Sequence, residues 1–296
     1  MSAPDPEDQS SLPRKAGHYL SNLLFVGLIR IALLLPYAFR VRAMGAAVER
    51  VIGPLAGYRR RALDNLALVW PDLPATRRAQ IASKCLNNVG RTLIENYSAK
   101  DFPKRMADNV LTGPGAQPLD EAVANGQPVI LVTGHYGNYE ATRAALAARG
   151  LSVGGLYRNM KNPYFNAHYV RTMAAFGGPI FPQGRSGTSG FVRHLKDGGQ
   201  LVLLFDQHVI GAPEFDFLGH RAKTATSAAD LALRYGALLI PFYGIRNPDG
   251  LTFETVLEAP VPHSDGMTMT QAITDSLAAR ITADPTQWFW IHRRWK

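Results

Sequence analysis

The stretch VILVTGHYGNYE, residues 129–140, runs from four apolar residues into a glycine turn that carries His135 and, five positions later, Glu140. Short apolar runs bounded by Gly and Pro are typical of strands buried on both faces of a sheet. A strand that ends in Gly-His and continues into a helix places the histidine at the carboxyl end of the sheet, where open α/β folds bind ligands. The stretch therefore predicts a buried strand, a turn at the ligand-binding edge and a helix.

The same pattern recurs along the rest of the chain. Apolar runs at 128–133, 152–157, 200–205 and 238–243 alternate with helical patterns at 139–150, 162–177, 189–198 and 227–236. Alternation of this kind indicates an α/β fold whose helices cover a central sheet. Upstream, residues 43–101 carry apolar residues at spacings of three and four, which predict two helices separated by a break at 70–74. The GRSGTSG segment at 184–190 is typical of a flexible or helix-capping loop.

Composition excludes several classes of protein. With 296 residues, of which 46% are hydrophobic, the chain buries a sizeable core and is not disordered. A single cysteine, Cys85, excludes a disulfide framework and a cysteine-based zinc site. No Gly-x-Ser-x-Gly elbow, Walker loop or metal-ligand spacing is present, so we predict no metal. The formal charge of +9 suits nucleic acid, an anionic membrane or a phosphorylated substrate as partner, and no nucleic-acid-binding pattern accompanies it.

The N-terminal region divides into a tail and an apolar segment. Residues 1–19 have the composition of a flexible tail, and residues 20–39 are long enough to cross a bilayer. Arg30 lies near the middle of this segment, where it costs roughly 2.5–3.5 kcal/mol on insertion scales. The segment therefore spans the membrane, lies at its interface, or is a buried core helix. Arginines follow it, which places the domain at 40–296 in the cytoplasm by the positive-inside rule.

His135 and Glu140 have two interpretations when the residues are taken alone. A carboxylate on one ring nitrogen fixes the histidine tautomer and leaves the other nitrogen to take a proton from a hydroxyl. Alternatively, Glu140 is favoured at a helix N-terminus by the helix dipole, beside a turn histidine that has no catalytic role. Their spacing is uninformative, because a chain with 8 His and 23 acidic residues contains such pairs by chance. Both interpretations stay open.

Four motifs, in order along nearly the whole chain, resemble the lipid A late acyltransferases. They are GHYGNYE at 134–140, LYRNMKNPYFN at 156–166, LVLLFDQH at 201–208 and PTQWFWIHRRWK at 285–296. The resemblance implies a membrane-anchored enzyme of the glycerolipid acyltransferase type, with a central mixed sheet flanked by helices. It further implies transfer of a lauroyl or myristoyl chain from acyl carrier protein to a phosphorylated glycolipid at the inner membrane, without a cofactor.

The resemblance also implies roles for individual residues. His135 is expected to be the general base and Glu140 to orient it. Substrate binding is expected at Asn138, Arg158, Arg171, Asp206 and Gln207. Of these, the two arginines suit phosphate groups, and Asp206 suits a substrate hydroxyl or an arginine partner. The C-terminal segment at 288–296 is expected to dock on the core as a strand or helix, with His292 in a structural role.

Other functions compete with this interpretation. The same family contains mycobacterial mannoside acyltransferases, so a different glycolipid acceptor is one alternative. A membrane-bound thioesterase or lipid hydrolase would use the same pair to activate water. A non-catalytic lipid-binding protein needs only the basic charge and the apolar segment, and a nucleic-acid-binding protein has the least support. Acyl chain length and the acceptor hydroxyl are not readable from the residues.

Overall fold

The computed structural model describes residues 12–296, and nine strands form two sheets within that range. The strands are β1 Leu111–Thr112, β2 Val129–Thr133, β3 Val153–Tyr157, β4 Ile180–Pro182, β5 Gln200–Leu204, β6 Glu214–Phe217, β7 His220–Lys223, β8 Leu238–Arg246 and β9 Phe253–Leu257. Seven of them form one sheet in the order β1-β9-β8-β2-β5-β3-β4, and β6 and β7 form a separate hairpin. Only the pairing of β8 with β9 is antiparallel in the large sheet. The predicted mixed α/β sheet is confirmed.

Twelve α-helices surround the sheet within the described range. They are α1 Leu12–Leu34, α2 Tyr37–Ala47, α3 Gly53–Leu55, α4 Tyr58–Val69, α5 Ala75–Tyr97, α6 Phe102–Met106, α7 Ala116–Ala124, α8 Tyr139–Ala148, α9 Pro163–Ala174, α10 Arg185–Lys196, α11 Ser227–Tyr235 and α12 Gly266–Ala283. A π-helical turn, Val48–Ile52, joins α2 to α3, and a 3₁₀ turn, Pro285–Gln287, precedes the C-terminal segment. The helices α8, α9 and α11 lie where the sequence predicts them, and α10 begins four residues before the predicted pattern at 189–198.

Two predictions about local structure need correction. The two helices predicted on either side of the break at 70–74 are α4 and α5, but the region 43–101 also contains the end of α2, the π-helical turn and α3. The segment at 184–190 is not a loop, because α10 begins at Arg185. Its small residues serve close packing: a Cβ at Gly187 would lie 1.9 Å from the Pro182 carbonyl oxygen at the end of β4.

β2 lies in the middle of the large sheet, and all five of its residues are completely buried. It pairs in parallel with β8 on one side and with β5 on the other. In the β2–β5 register Thr133 faces Leu204, so residues two positions further along each chain emerge together at the carboxyl edge of the sheet. Those two residues are His135 and Asp206.

The N-terminal helix differs in its bounds from the predicted segment at 20–39. α1 ends at Leu34, and Pro36 is the N-cap of α2, because proline has no amide hydrogen for the continuing helix. The span Arg14–Leu34 is long and apolar enough to cross a membrane, with a mean hydropathy of 1.5. Residues 12–19 are helical rather than part of a tail, and residues 1–11 of the predicted tail lie outside the described range. The division into an anchor and a catalytic domain stays a prediction.

The C-terminal segment docks on the core, as expected, but follows an irregular path rather than forming a strand or helix. The Asn65 side chain on α4 donates hydrogen bonds to the carbonyls of Trp290, at 2.7 Å, and His292, at 2.8 Å. The Phe289 amide donates to the His135 carbonyl at 3.0 Å. Since the Trp288 and Trp290 side chains are completely buried, the segment is part of the core beside the His135 turn.

Candidate active site

The turn after β2 is shaped by two glycines. Gly137 has a φ of 58°, in the left-handed region, and a Cβ there would lie 2.0 Å from the Gly244 carbonyl oxygen. A Cβ at Gly134 would lie 2.5 Å from a methyl carbon of Leu277 and 3.0 Å from an Asp206 carboxylate oxygen. The glycines therefore let the turn approach β8 on one side and Asp206 on the other.

His135 contacts Asp206, which follows the neighbouring strand β5. The distance from His135 Nδ1 to Asp206 Oδ1 is 2.8 Å, and the His135 amide donates to Asp206 Oδ2, also at 2.8 Å. The Trp288 indole donates to the same Oδ2 at 2.9 Å. Asp206 is completely buried, whereas the His135 side chain is 21% exposed. The pair therefore has a fixed inner member and an outer member that solvent or substrate can reach.

The charge state of Asp206 determines the histidine tautomer. Burial alone would raise the pKa of the Asp206 carboxyl, but the adjacent His135, through its charge and its hydrogen bonds, holds that pKa well below its ordinary value. An ionised carboxylate only accepts hydrogen bonds, so His135 Nδ1 carries the proton in this contact. Nε2 is then the ring nitrogen left to accept a proton from a substrate.

Glu140 does not make the contact that the sequence predicts. The carboxylate on the His135 ring is that of Asp206, and Glu140 pairs instead with Arg143, one helical turn later, at 3.2 Å. Arg143 is itself buried and also donates to the carbonyls of Val153, at 3.3 Å, and Gly177, at 2.6 Å. Burial raises the pKa of Glu140, and Arg143 opposes that shift. The expected orienting role of Glu140 is thus corrected, because its partner ties α8 to β3 and the end of α9.

Asn138 is the N-cap of α8 rather than an exposed substrate contact. It is completely buried, and its Oδ1 accepts from the Glu140 amide at 3.0 Å. Its Nδ2 donates to Glu95 on α5 at 3.0 Å. Glu95 also receives two hydrogen bonds from Arg246 at 2.5 and 2.7 Å, and is completely buried. Asn138 thus caps the first turn of α8, and the network holds that turn against α5 and β8.

The other predicted substrate-binding residues lie in different places. Arg158 follows β3, Arg171 lies in the last turn of α9, and both are exposed. Neither is among the residues that line the cavity at His135. Gln207 is exposed next to Asp206, and its carbonyl accepts from Arg294 at 3.3 Å. Asp206 uses its oxygens for His135 and Trp288, instead of the expected hydroxyl or arginine.

A cavity of about 240 Å³ opens beside His135. Most of its lining side chains are apolar or carry an amide. The lining residues are Cys85, Asn88, Val89, Thr92, Leu93, Asn96, His135, Gly137, Tyr139, Gln287 and Phe289. Burial raises the pKa of the Cys85 thiol to about 12, so the thiol is protonated at neutral pH and is a poor nucleophile. His135 is therefore the titratable group in the cavity that is suited to proton transfer.

His292 is a neighbour of His135 that the sequence analysis assigned only to packing. Its ring centroid lies 4.6 Å from that of His135, and its Nε2 is buried without a hydrogen-bond partner in the described chain. Burial, helped by the charge of His135, lowers the pKa of His292 to about 4, so it is neutral at pH 7. No sequence pattern pointed to this contact, which depends on how the C-terminal segment folds back.

Within residues 12–296, one group of side chains is close enough together to hold a metal ion. His135, Asp206 and His292 each offer a ligand atom, and these atoms lie within 4.8 Å of one another. Both oxygens of Asp206 already accept N–H hydrogen bonds, three in all. That arrangement is typical of a carboxylate that orients a histidine for general-base chemistry.

The whole described chain also matches a known family. Residues 9–296 match the family of bacterial lipid A biosynthesis acyltransferases. The chain belongs to that family. The resemblance carried by the four sequence motifs is thereby confirmed.

Individual relatives of this lipid A acyltransferase family cover most of the chain. The chain is 26% identical over 290 residues to the lipid A biosynthesis lauroyltransferase of Escherichia coli, an overlap of 94% of this chain and 92% of the relative. It is 24% identical over 279 residues to a lipid A biosynthesis acyltransferase of Haemophilus influenzae, an overlap of 90% of this chain and 86% of the relative. It is also 23% identical over 239 residues to the phosphatidylinositol mannoside acyltransferase of Mycobacterium tuberculosis, an overlap of 78% of this chain and 75% of the relative.

Proposed function

We propose that the protein transfers a fatty acyl chain from acyl carrier protein to a hydroxyl of a phosphorylated glycolipid, a precursor of lipid A. His135 is the general base of this proposal, and Asp206 holds and stabilises it. The observation that carries the proposal is the 2.8 Å contact from His135 Nδ1 to the ionised, completely buried Asp206. Membership of the acyltransferase family supports the reaction type.

The proposed reaction needs one base and no covalent enzyme intermediate. His135 Nε2 takes the proton of the acceptor hydroxyl while the hydroxyl oxygen attacks the thioester carbonyl. Asp206 stabilises the imidazolium that forms. The tetrahedral intermediate then collapses, the C–S bond breaks, and the imidazolium returns its proton to the leaving thiolate. An ester and a free thiol are the products, and the buried, protonated Cys85 plays no nucleophilic part.

Apolar surface near His135 supports a long acyl chain as the transferred group. Leu93 on α5 lines the cavity of His135 and also a second cavity of about 510 Å³ between α1, α5 and α9. That second cavity is lined mainly by apolar side chains, including Phe25, Leu28 and Phe165. Burying methylene groups there contributes about 0.8 kcal/mol each. We propose that the acyl chain of the donor runs from His135 past Leu93 into this space.

The acceptor and the acyl chain length have more than one candidate within the family. The E. coli relative is named a lauroyltransferase, which supports a lauroyl or myristoyl donor for this chain. The mycobacterial relative is named a phosphatidylinositol mannoside acyltransferase, which supports a different glycolipid acceptor as the second candidate. Both candidates share the base and the thioester chemistry, so they differ only in the glycolipid that the protein binds.

The N-terminal helix supports a membrane location for the proposed reaction. α1 carries exposed apolar side chains, such as Leu24 at 60%, Ile31 at 64% and Leu34 at 85% exposure. Exposed apolar surface of this extent marks a membrane or protein contact. We propose that α1 anchors the protein in the inner membrane with the catalytic domain facing the cytoplasm, where the acyl carrier protein is found.

Radiolabelled acyl transfer tests the proposal. Purified protein is incubated with acyl carrier protein bearing a labelled acyl chain and with a lipid IVA-type acceptor or a mannoside acceptor. We expect His135→Ala to lower kcat by about 10³-fold or more, because general-base catalysis and its orientation are both lost. The exposed His263, which does not line the cavity, gives the control His263→Ala with unchanged turnover.

Two results would contradict the proposal. One is full activity of a folded His135→Ala variant, since a general base cannot be dispensable. The other is release of free fatty acid at the full rate without any acceptor, which would instead support a thioesterase. Label that appears on the mannoside acceptor alone would keep the base and change the acceptor.

A further inference from the structure

A polar pocket with no assigned role lies beside the His135 cavity. It has a volume of about 350 Å³ and is formed by α4, the loop after β5 and the C-terminal segment. Phe289 lines both this pocket and the His135 cavity, and His292 lines the pocket while its ring lies 4.6 Å from that of His135. We define the basic pocket by four of its lining residues, Arg61, His208, Arg293 and Lys296.

The walls of the basic pocket are held in place by hydrogen bonds. Arg61 on α4 donates to the Ile291 carbonyl at 3.2 Å, which joins the helix to the C-terminal segment. Arg294 is completely buried and donates to the carbonyls of Gln207, at 3.3 Å, and Lys223, at 2.7 Å. These bonds fix the loop after β5 against the C-terminal segment. A preformed pocket loses little entropy when a ligand binds.

Among the residues that the structure describes, no side-chain carboxylate neutralises the charges of the basic pocket. Among the described residues that line it, none has a carboxylate side chain. Between residues 12 and 296, Arg61, Arg293 and Lys296 form no ion pair. The Nδ1 atom of His208 is buried and has no hydrogen-bond partner in that same part of the chain. Buried polar groups in proteins are nearly always paired, so this ring nitrogen is available to a ligand in the basic pocket.

We propose that the basic pocket binds a phosphate group of one of the two substrates beside the His135 cavity. Arginine forks match the oxygens of a phosphate, and such charge-assisted bonds are about twice as strong as neutral ones. The exposed Arg158 and Arg171, which the sequence suggested for this task, do not line the His135 cavity, whereas the basic pocket adjoins it. This inference rests on the proposed function, because it identifies where a phosphorylated substrate of that reaction is held.

Kinetics of a single arginine variant test the site. Arg293 is exposed and forms no ion pair in the described chain, so Arg293→Gln removes the charge without breaking a structural contact. We expect the KM for a phosphorylated glycolipid to rise about 10-fold with kcat nearly unchanged, as expected from losing one charge-assisted bond. The matched control is Arg59→Gln, an exposed arginine on α4 that does not line the pocket.

The source of the phosphate is read from which KM changes. A rise in KM for the phosphorylated acceptor, absent with the dephosphorylated acceptor, assigns the pocket to the glycolipid. A rise in KM for the acyl carrier protein donor assigns it to the phosphodiester of the carrier arm. Equal KM values for Arg293→Gln and Arg59→Gln with both substrates would overturn the proposal.

Binding of inorganic pyrophosphate separates the pocket from the reaction. Calorimetric titration of the full chain in detergent needs no turnover, and we expect Arg293→Gln to weaken pyrophosphate binding about 10-fold. If the wild-type protein binds pyrophosphate in this way but transfers no acyl chain, the proposed function fails and the anion site stands. If acyl transfer is observed and pyrophosphate binds equally to Arg293→Gln, the anion site fails and the function stands.

Discussion

Asp206 and Glu140 are two buried carboxylates that flank the same turn, but their surroundings give them opposite pKa shifts. Asp206 accepts N–H hydrogen bonds from the His135 ring, the His135 amide and the Trp288 indole. Its pKa is held well below the ordinary value against the effect of burial. Glu140 has Arg143 as its ion-pair partner, and burial raises its pKa. At Asp206 the adjacent His135 and the fixed N–H donors outweigh the effect of burial on the pKa, whereas at Glu140 the single arginine does not.

The two carboxylates also differ in what they are connected to. The Asp206 pair ends at a histidine that is 21% exposed and lines a cavity. Both side chains of the Glu140–Arg143 pair are buried, and Arg143 also donates hydrogen bonds to the carbonyls of Val153 and Gly177. Because His135 is partly exposed, the Asp206 pair can act on a substrate. The Glu140 pair is buried and bonded only within the protein, so its role is structural. Substituting each carboxylate by its amide therefore separates the two roles.

The largest expected effect in this comparison comes from Asp206→Asn. The amide can present an N–H group to His135 Nδ1, which stabilises the wrong tautomer and removes the charge that supports the imidazolium. We expect kcat to fall about 10³- to 10⁴-fold, as for the equivalent change in other acid–histidine pairs. The assay is acyl transfer at saturating substrates, with circular dichroism to show that the variant is folded. A folded Asp206→Asn protein with wild-type kcat would refute the assignment of Asp206.

The second expected effect concerns stability and comes from Glu140→Gln. This change leaves Arg143 buried with backbone carbonyls as its remaining acceptors. Because burial already disfavours the charged form of Glu140 in the folded protein, the loss is that of one hydrogen-bond acceptor rather than of a strongly favourable ion pair. We expect the free energy of unfolding in urea to fall by about 1–3 kcal/mol, while kcat per folded molecule changes less than 10-fold. A loss of kcat as large as that of Asp206→Asn, without a loss of stability, would return the orienting role to Glu140.

The exposed pair of Arg149 and Asp120 supplies the control for this stability measurement. Their side chains are 39% and 55% exposed, and the N–O distance is 2.7 Å. Exposed ion pairs contribute less than about 1 kcal/mol, so Asp120→Asn should leave the unfolding midpoint nearly unchanged. A loss at Asp120→Asn equal to that at Glu140→Gln would show that burial of the pair is not the cause.

The sheet was largely predictable from the sequence, and the strand order was not. The apolar runs at 128–133, 152–157, 200–205 and 238–243 correspond to β2, β3, β5 and β8 because buried parallel strands need continuous apolar residues. Short or edge strands, such as β1 with two residues, carry no such run. The C-terminal segment was unpredictable in conformation, because Trp288 is placed by contacts with residues far away in the chain, such as the Asp206 carboxylate.

The sequence identified His135 but not its contact with Asp206, because that contact also depends on residues far apart in the chain. His135 was found because a strand-turn-helix pattern places it at the carboxyl edge of the sheet. Asp206 also ends an apolar run, so both residues were known to lie at that edge. What was missing was that β2 and β5 are neighbours with Thr133 opposite Leu204, which brings the two side chains together. Sequence proximity favoured Glu140 instead, and the helix that follows the turn directs Glu140 toward Arg143.

The smallest expected effect is the pH dependence of the free energy of unfolding. His292 and Glu140 contribute to it with opposite signs. The pKa of His292 is lowered to about 4 in the folded protein, so the unfolded chain takes up its proton first as the pH falls from about 6.5. Stability contributed by neutral His292 is therefore lost between about pH 6.5 and 4. Glu140 has a raised pKa, so the folded protein takes up that proton before the unfolded chain and gains stability as the pH falls.

Urea unfolding between pH 7 and 4.5 measures how the free energy of unfolding changes with pH in each variant. This range stays above the titration of Asp206, whose lowered pKa costs stability only at lower pH. His292→Gln should remove about 2 kcal/mol of the loss on acidification, because it removes the group that the unfolded chain protonates first. Glu140→Gln should make the loss steeper, because it removes the group that the folded protein protonates first. His168, whose pKa is also lowered by burial, adds the same background to every variant, so only differences between slopes are compared. Equal slopes in wild type and His292→Gln would mean that His292 is not held neutral beside His135, and the contact between the two rings would then have no electrostatic consequence.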